Sequence, residues 1–185
     1  NCILKKRNTK KDELMNDTMS TPDWDEFFMR HVYLAATKSK DPSSKLGAIL
    51  VKDGIIISEG YNGFPRGVID SLERYSVREE KYKYVVHAET NSILNAARNG
   101  ISTKGAIMYT NGIPCNECAK SVIQAGIVEV IIHDGWPMGK ITGAGKWDNA
   151  AKITSTMFEE CGIKVRSISI KLNVTALVNE QLMTV

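Results

Sequence analysis

The chain has 185 residues, of which 43% are hydrophobic and 24% are charged, and its formal net charge is +3. That length suits one domain with a sizeable core, and no apolar run approaches the roughly 20 residues that a membrane helix needs. Residues 1–18 contribute +2 of the charge, so the rest of the chain is close to neutral. A near-neutral body argues against a partner that presents many phosphates, and we expect a small substrate rather than a nucleic acid or a membrane.

Residues 1–18 are polar and show no periodicity, which predicts an N-terminal extension ahead of a single domain over residues 19–185. No apolar segment of the secretory type follows the basic opening. In a chain of this composition and with no secretory segment visible, four cysteines do not suggest a disulfide framework, and a reducing compartment is expected. The prediction is a cytoplasmic protein.

The first predicted element is a helix over residues 20–40, with Thr21 as its N-cap and a proline in its first turn. Two runs rich in β-branched residues then flank Gly54 and predict a hairpin over residues 46–60. After a loop marked by glycine and proline, charged and tyrosine-rich residues predict a helix or an ordered loop at 70–84.

The second half of the chain alternates helices with strands. The predicted elements are a helix at 86–98, a strand at 106–111, a helix at 115–125, a strand at 128–134, a helix at about 147–161 and a strand at 163–170. A glycine-rich loop, residues 135–145, interrupts this alternation, and a short C-terminal segment ends it. Such an order implies an α/β fold whose sheet is largely parallel after the hairpin and carries helices on both faces.

Three side chains in the segments VVHAETNSIL and IPCNECAKSVI form a predicted metal site: His87, Cys115 and Cys118. Catalytic zinc sites use three protein ligands and leave a fourth position for water. Both segments lie where helices should begin, and a helix dipole stabilises a thiolate there. Glu89 follows His87 by two residues and is placed to carry a proton between an activated water and the substrate. The H-x-E and P-C-x-x-C pattern is the signature of zinc deaminases.

A closed structural zinc site is the alternative, with Cys161 or Cys2 as its fourth ligand. Cys161 ends a predicted helix, where a buried thiol is ordinary core, and Cys2 lies in the extension. We therefore favour a catalytic site with one zinc ion per chain. His31 is expected on the packing face or the surface of the first helix, so no second zinc is predicted.

From about residue 24 to residue 170 the chain resembles the deoxycytidylate (dCMP) deaminases of the cytidine deaminase superfamily. The matching stretches are DPSSKLGAILV, GYNGFPRG, YKYVVHAETNSILNAARNG and MYTNGIPCNECAKSVIQAGI. The resemblance implies a cytidine-deaminase-like three-layer α/β/α fold with a mixed five-stranded sheet. It also implies zinc-dependent hydrolysis of dCMP to dUMP and ammonia, which supplies dUMP for thymidylate synthesis.

The resemblance further suggests which residues bind the substrate. The backbone N–H of Ala88 would donate to the pyrimidine carbonyl, and Asn62 would hold the sugar hydroxyl. Arg98 is the first candidate for the phosphate and Lys45 the second, while Trp136 would form an aromatic wall. A solvated cation at a helix end is the alternative interpretation of Arg98.

The loop GYNGFPRG is the expected effector site, formed by Gly63, Arg66 and Gly67. Exposed amides beside an arginine can cradle a triphosphate. In the resembling family this region binds dCTP with Mg²⁺ as activator and dTTP as inhibitor, within a homohexamer. The alternative is a rigid surface turn with a solvated arginine.

Three other functions remain open at the level of the sequence. A dCTP deaminase could hold the additional phosphates with Lys45, Arg66 or Lys140. A nucleic-acid base deaminase is disfavoured by the near-neutral body. A non-catalytic zinc module that senses nucleotides would have no need for Glu89. The sequence also leaves open whether His133 is a core residue or a neighbour of the pocket.

Overall fold

A computed structural model of the chain describes residues 21–137 and 148–185. The helices are α1 (Trp24–Ala36), α2 (Leu72–Ser76), α3 (Arg78–Tyr84), α4 (Ala88–Arg98), α5 (Asn116–Gln124) and α6 (Asp148–Glu160). The strands are β1 (Gly47–Lys52), β2 (Ile55–Tyr61), β3 (Ile107–Thr110), β4 (Glu129–His133), β5 (Lys164–Ile168), β6 (Thr175–Val178) and β7 (Gln181–Thr184). No helix within the described residues combines the length and the hydrophobicity that a membrane crossing requires.

The predicted order of elements is confirmed up to β5, with the tyrosine-rich segment resolved into the two short helices α2 and α3. The extension, residues 1–18, lies outside the described residues, as does most of the glycine-rich loop.

The central sheet has five strands in the order β2-β1-β3-β4-β5. β1 pairs antiparallel with both β2 and β3, whereas β3, β4 and β5 run parallel to one another. The prediction of a mixed sheet that is parallel after the hairpin is therefore confirmed. Parallel neighbours need crossover connections, and α5 provides the one between β3 and β4.

Two apolar layers cover the two faces of this sheet. On one face, Ile49 and Val51 of β1 pack with the buried side of α1. On the other face, Leu50 packs in a cluster with residues of α4, α5 and α6. Successive side chains of a strand point to opposite faces, so three consecutive residues of β1 serve both layers. The three-layer α/β/α fold is thus confirmed.

The N-cap of the first helix lies two residues later than predicted. The cap is Asp23 rather than Thr21, because an Asp23 carboxylate oxygen accepts the backbone N–H of Glu26 at 2.8 Å. The prediction of Thr21 was wrong because an Asp directly after the proline offers the same kind of acceptor at the correct spacing.

The C-terminal segment forms a hairpin that the sequence did not indicate. Asn179 and Glu180 occupy its turn with φ values of 48° and 66°, as a type I′ turn requires. The hairpin docks on the loop before β1, where Glu180 N–H donates to Ser43 O at 2.7 Å and Lys45 N–H donates to Leu177 O at 3.0 Å. This docking brings Asn179 to the candidate site.

Helix α4 lies unusually close to strand β2 at Gly60. A Cβ atom placed on Gly60 would lie 2.3 Å from Ser92 N and 2.4 Å from Ala88 O, both backbone atoms of α4. Only glycine permits this approach. Because α4 begins directly after His87, the same contact sets the position of the candidate metal ligand.

We expect Gly60→Ala to lower the free energy of unfolding by about 3 kcal/mol or more, because the added methyl group collides with backbone that cannot give way locally. Gly63→Ala is the matched control, since the nearest atom to its Cβ is a side-chain carbon at 4.0 Å. Urea unfolding of both variants checks this. Equal stability of the two proteins would contradict the close approach.

Candidate active site and metal centre

The predicted metal ligands lie at the starts of two helices on the same face of the sheet. His87 is the N-cap of α4, where its carbonyl accepts Asn91 N–H at 2.9 Å. Cys115 is the N-cap of α5, where its carbonyl accepts Ala119 N–H at 2.8 Å. Cys118 follows in the first turn of α5. The two helix starts meet, as the sequence predicted.

The distances within this cluster fit a zinc ion. His87 Nδ1 lies 3.4 Å from Cys115 Sγ and 3.5 Å from Cys118 Sγ. Tetrahedral zinc with bonds of about 2.3 Å to sulfur and about 2.05 Å to nitrogen separates such ligand atoms by about 3.5 Å. Within the described residues this is the one group of histidine, cysteine or acidic side chains close enough to hold a metal.

The electrostatics of the cluster favour a cation. A hydrogen bond with Cys118 lowers the pKa of Cys115, which favours the thiolate form that binds a metal. A hydrogen bond with Cys115 raises the pKa of His87 to about 9. Metal binding must displace the protons that the free ligands hold, so the affinity of the site for a metal rises with pH.

Glu89 lies beside the cluster without belonging to it. Its side chain is buried, and Oε2 lies 3.8 Å from Cys118 Sγ. Burial raises the pKa of Glu89, which suits a carboxyl group that takes up and releases a proton at neutral pH. Glu89 thus lies near the candidate metal ligands, and its role in proton transfer stays a prediction.

An open pocket adjoins Glu89 and is walled by the loop before β1, helix α3, the start of α4 and the turn of the C-terminal hairpin. Its lining residues are Asp41, Ser43, Ser44, Leu46, Asn62, Arg78, Lys81, Tyr82, Val85, His87, Ala88, Glu89, Trp136 and Asn179. Of the predicted substrate contacts, the pocket thus includes Asn62, Ala88 and Trp136.

Neither predicted phosphate contact lines this pocket. Arg98 is exposed at the last position of α4, about 15 Å along the helix axis from Ala88. Lys45 is half-buried between two lining residues, Ser44 and Leu46. The structure does not bring either cation to the pocket of its own chain.

Ala88 provides a hydrogen-bond donor at the pocket wall. It is the first residue of α4 and is buried. The first N–H groups of a helix have no partner within the helix, and that of Ala88 donates to no other described residue.

Asn62 has most of its hydrogen-bonding capacity committed to the protein. Its Nδ2 donates to Ser44 O at 2.9 Å and to Asp41 Oδ2 at 3.4 Å, and its Oδ1 accepts Leu46 N–H at 2.8 Å. These bonds shape the loop that walls the pocket. One lone pair of Oδ1 is left for a sugar hydroxyl, and that role stays a prediction.

A buried ion pair that sequence reasoning missed joins the loop before β1 to helix α3. Lys81 Nζ lies 3.1 Å from Asp41 Oδ2, and the two side chains are 9% and 4% exposed. Asp41 Oδ1 also accepts the backbone N–H of Ser43 at 2.8 Å. Sequence reasoning missed the pair because no spacing rule joins residues forty positions apart.

Trp136 is buried against Tyr33 and forms part of the pocket wall. Its backbone N–H donates to His133 O at 3.1 Å. His133 Nε2 lies 2.8 Å from Ile170 O, and because a carbonyl only accepts, this nitrogen carries the proton. His133 Nδ1 lies 2.7 Å from Tyr33 Oη. Both ring nitrogens are thus bonded within the protein and the side chain is buried, so His133 is a core residue, which resolves the question that the sequence left open.

The predicted effector loop is only partly exposed. Gly63 is buried and forms a bridge with Val86, in which its N–H donates at 3.1 Å and its carbonyl accepts at 2.8 Å. The prediction of an exposed Gly63 amide was wrong for this reason. Arg66 is exposed and donates to Asn95 Oδ1 at 2.7 Å, and Gly67 is exposed with a φ of 85°. Lys140 lies outside the described residues.

The remaining cysteines do not complete a closed metal site within the described residues. Cys161 is exposed just after α6, so the expectation of a core thiol was wrong, and it is not part of the metal group. Cys2 lies outside the described residues. His31 is half-buried on α1, where its ring packs at 4.7 Å from that of Phe27, as expected for a packing residue.

The sequence of the chain matches one protein family model and the sequences of several known proteins. The family model of the cytidine and deoxycytidylate deaminase zinc-binding region matches residues 22–134. The chain is 46% identical to human deoxycytidylate deaminase over 147 residues, which cover 74% of the chain and 80% of that protein. It is 48% identical to mouse deoxycytidylate deaminase over 115 residues, which cover 59% of the chain and 64% of that protein. The matched region is thus less than two thirds of the mouse relative's length.

The fold is also similar to a solved structure. The crystal structure of dCMP deaminase from the cyanophage S-TIM5 in complex with dCMP and dUMP matches with a TM-score of 0.63 at 26% identity. This match covers 80% of the chain and 99% of the phage protein.

We expect Lys81→Met to lower the free energy of unfolding by about 3–5 kcal/mol, because it leaves the Asp41 carboxylate buried without its counter-ion. Adding Asp41→Asn to that variant should restore part of the loss. Lys83→Met is the control on the same helix, since the Lys83–Glu80 pair is exposed and its loss should not measurably change stability. Urea unfolding tests all three variants, and a null effect of Lys81→Met would contradict the structural role of the pair.

Proposed function

The chain belongs to the cytidine and deoxycytidylate deaminase family, and we propose that it hydrolyses dCMP to dUMP and ammonia. The observation that carries this proposal is the three-ligand cluster with the buried carboxyl of Glu89 beside it, at the wall of an open pocket. The human and mouse relatives are named deoxycytidylate deaminases, and the related phage enzyme has been crystallised with dCMP and dUMP. The proposed domain spans residues 19–185, in a cytoplasmic protein.

In this reaction the residues of the chain bind and orient the substrate, and one of them transfers protons. The Ala88 N–H donates to the pyrimidine carbonyl, while Trp136 closes one side of the pocket. Glu89 takes a proton from the attacking water and delivers it to the ring nitrogen next to C4, then passes a second proton to the departing amine. The C4–O bond forms first; the second proton comes from the hydroxyl group now on C4, and the C4–N bond then breaks so that ammonia leaves and a C4 carbonyl remains. His87, Cys115 and Cys118 would hold a zinc ion, whose Lewis acidity would activate water as a nucleophile near neutral pH.

Glu89 also favours an enzyme over a non-catalytic zinc module. A carboxyl group buried beside a ligand sulfur has lost its hydration, and this lowers the stability of the folded protein. A site that only held zinc for structural reasons would gain nothing from it. A role in proton transfer to the substrate accounts for a buried carboxyl group at this position.

The proposal extends to regulation by dCTP, bound with Mg²⁺, as activator and dTTP as inhibitor, within a homohexamer. Two contacts support a link between the loop and the active site. Gly63 is bridged to Val86, the residue directly before His87, and Arg66 contacts Asn95 on α4. A nucleotide that binds at Arg66 and Gly67 would therefore bias the position of the helix that carries His87 and Glu89.

We expect Glu89→Gln to lower kcat for dCMP by about three orders of magnitude, because the amide cannot carry the proton. Zinc content should remain one per chain, since all three ligands are unchanged. Glu117→Gln is the matched control, because Glu117 lies between the two cysteines and its side chain is 71% exposed. Steady-state kinetics and metal analysis provide the measurements. Near-parental turnover of Glu89→Gln would refute the proton-transfer role.

For regulation, the expected result is that dCTP with Mg²⁺ lowers the half-saturating concentration of dCMP and that dTTP opposes this. Arg66→Ala should remove both effects and leave turnover at saturating dCMP unchanged, because Arg66 lies outside the pocket lining. Initial rates across dCMP concentrations measure this. Hyperbolic kinetics that millimolar dCTP and dTTP leave unchanged would exclude regulation at the loop.

A further inference from the structure

One cation in the pocket lining has no part in the roles described so far. Arg78 begins helix α3, and its guanidinium carbon lies 4.7 Å from the centroid of the Tyr82 ring, one turn further along. Both residues line the pocket. Within residues 21–137 and 148–185, Arg78 forms no ion pair and its guanidinium donates no hydrogen bond.

The other charges of the described lining are already balanced or committed. Lys81 is paired with Asp41. His87 belongs to the metal cluster and Glu89 lies beside it. Arginine stays protonated at all physiological pH values. Arg78 therefore gives this pocket wall one positive charge that no described carboxylate offsets.

We propose that Arg78 binds the phosphate group of a nucleoside monophosphate substrate and thereby sets the preference for nucleotides over nucleosides. This inference rests on the proposed deamination, which places the amine-bearing ring at Glu89. Glu89 and Arg78 line the same pocket, and Arg78 lies on its α3 wall. The sugar and phosphate of a substrate then extend towards the α3 wall.

The geometry of the Arg78–Tyr82 pair suits this ligand. A guanidinium over an aromatic ring is held in orientation by the cation–π interaction, and its N–H groups point outward from its edge. Those groups match two oxygens of one phosphate. Ser43 lines the same pocket, and its hydroxyl has no hydrogen bond to a described residue, so it can donate to a third oxygen.

The charge available favours a single phosphate group. A phosphomonoester carries about −1.5 to −2 at neutral pH, which one arginine and neighbouring donors can accommodate. A triphosphate would bring two further phosphate groups, for which the described lining offers no second unpaired cation. The same wall thus selects dCMP over deoxycytidine and over dCTP.

Arg78→Ala and Arg74→Ala form a matched pair of variants for the test. Arg74 lies over the Tyr84 ring at the same 4.7 Å but does not line the pocket. We expect Arg78→Ala to lower kcat/KM for dCMP by about 10- to 100-fold, mostly through KM, and that for deoxycytidine by less than about 2-fold. Arg78→Lys should recover part of the loss. Arg74→Ala should match the parent protein on both substrates.

Binding of the product separates failure of this inference from failure of the proposed function. Calorimetry compares dUMP with deoxyuridine on the zinc-loaded parent and on Arg78→Ala, and it requires no turnover. Loss of affinity for dUMP alone supports the phosphate contact, even if the parent fails to deaminate dCMP and the proposed function falls. Equal losses for both ligands, or no loss for either, overturn the role of Arg78.

Discussion

The active site depends on one geometric condition: the starts of two helices must be close enough for the ligand atoms that they carry to lie about 3.5 Å apart. His87 Nδ1 meets both cysteine sulfurs at that separation, which tetrahedral zinc coordination requires. The sheet provides the condition, because α4 and α5 pack on the same face. Gly60 then allows α4 to approach β2 closely enough to complete the arrangement. Backbone packing thus sets the positions of the candidate ligands.

The rest of the pocket is assembled from segments far apart in the chain. Asp41 and Lys81 bind the loop before β1 to helix α3, and the C-terminal hairpin closes on the same loop from the other side. Trp136 completes the wall through its packing on Tyr33. The candidate metal ligands are therefore held by the helices and strands of the sheet layer. The pocket wall that would discriminate between substrates is instead held by polar contacts between segments far apart in the chain. Changes in these contacts can alter specificity and leave the chemistry intact.

Local signals predicted the fold and the zinc end of the site well. The positions of His87 and Cys115 at helix starts followed from capping patterns and from the hydrophobic period of each helix. The same reasoning failed where partners are distant in sequence. Arg98 was a candidate for the phosphate through the family resemblance; it lies at the opposite end of α4 from the pocket, whereas Arg78 lines the pocket wall. The sequence did not predict the C-terminal turn because its second residue is Glu180 rather than the glycine that is usual there.

The most direct test of the central claim is the release of ammonia from dCMP, with CMP, dCTP and single-stranded DNA as parallel substrates for the purified protein. The account predicts stoichiometric dUMP and ammonia from dCMP, with one zinc ion per chain. Chelation should abolish the activity and added zinc should restore it. Zinc-loaded, folded protein that releases no ammonia from dCMP, or that releases it only from another of these substrates, would contradict the account.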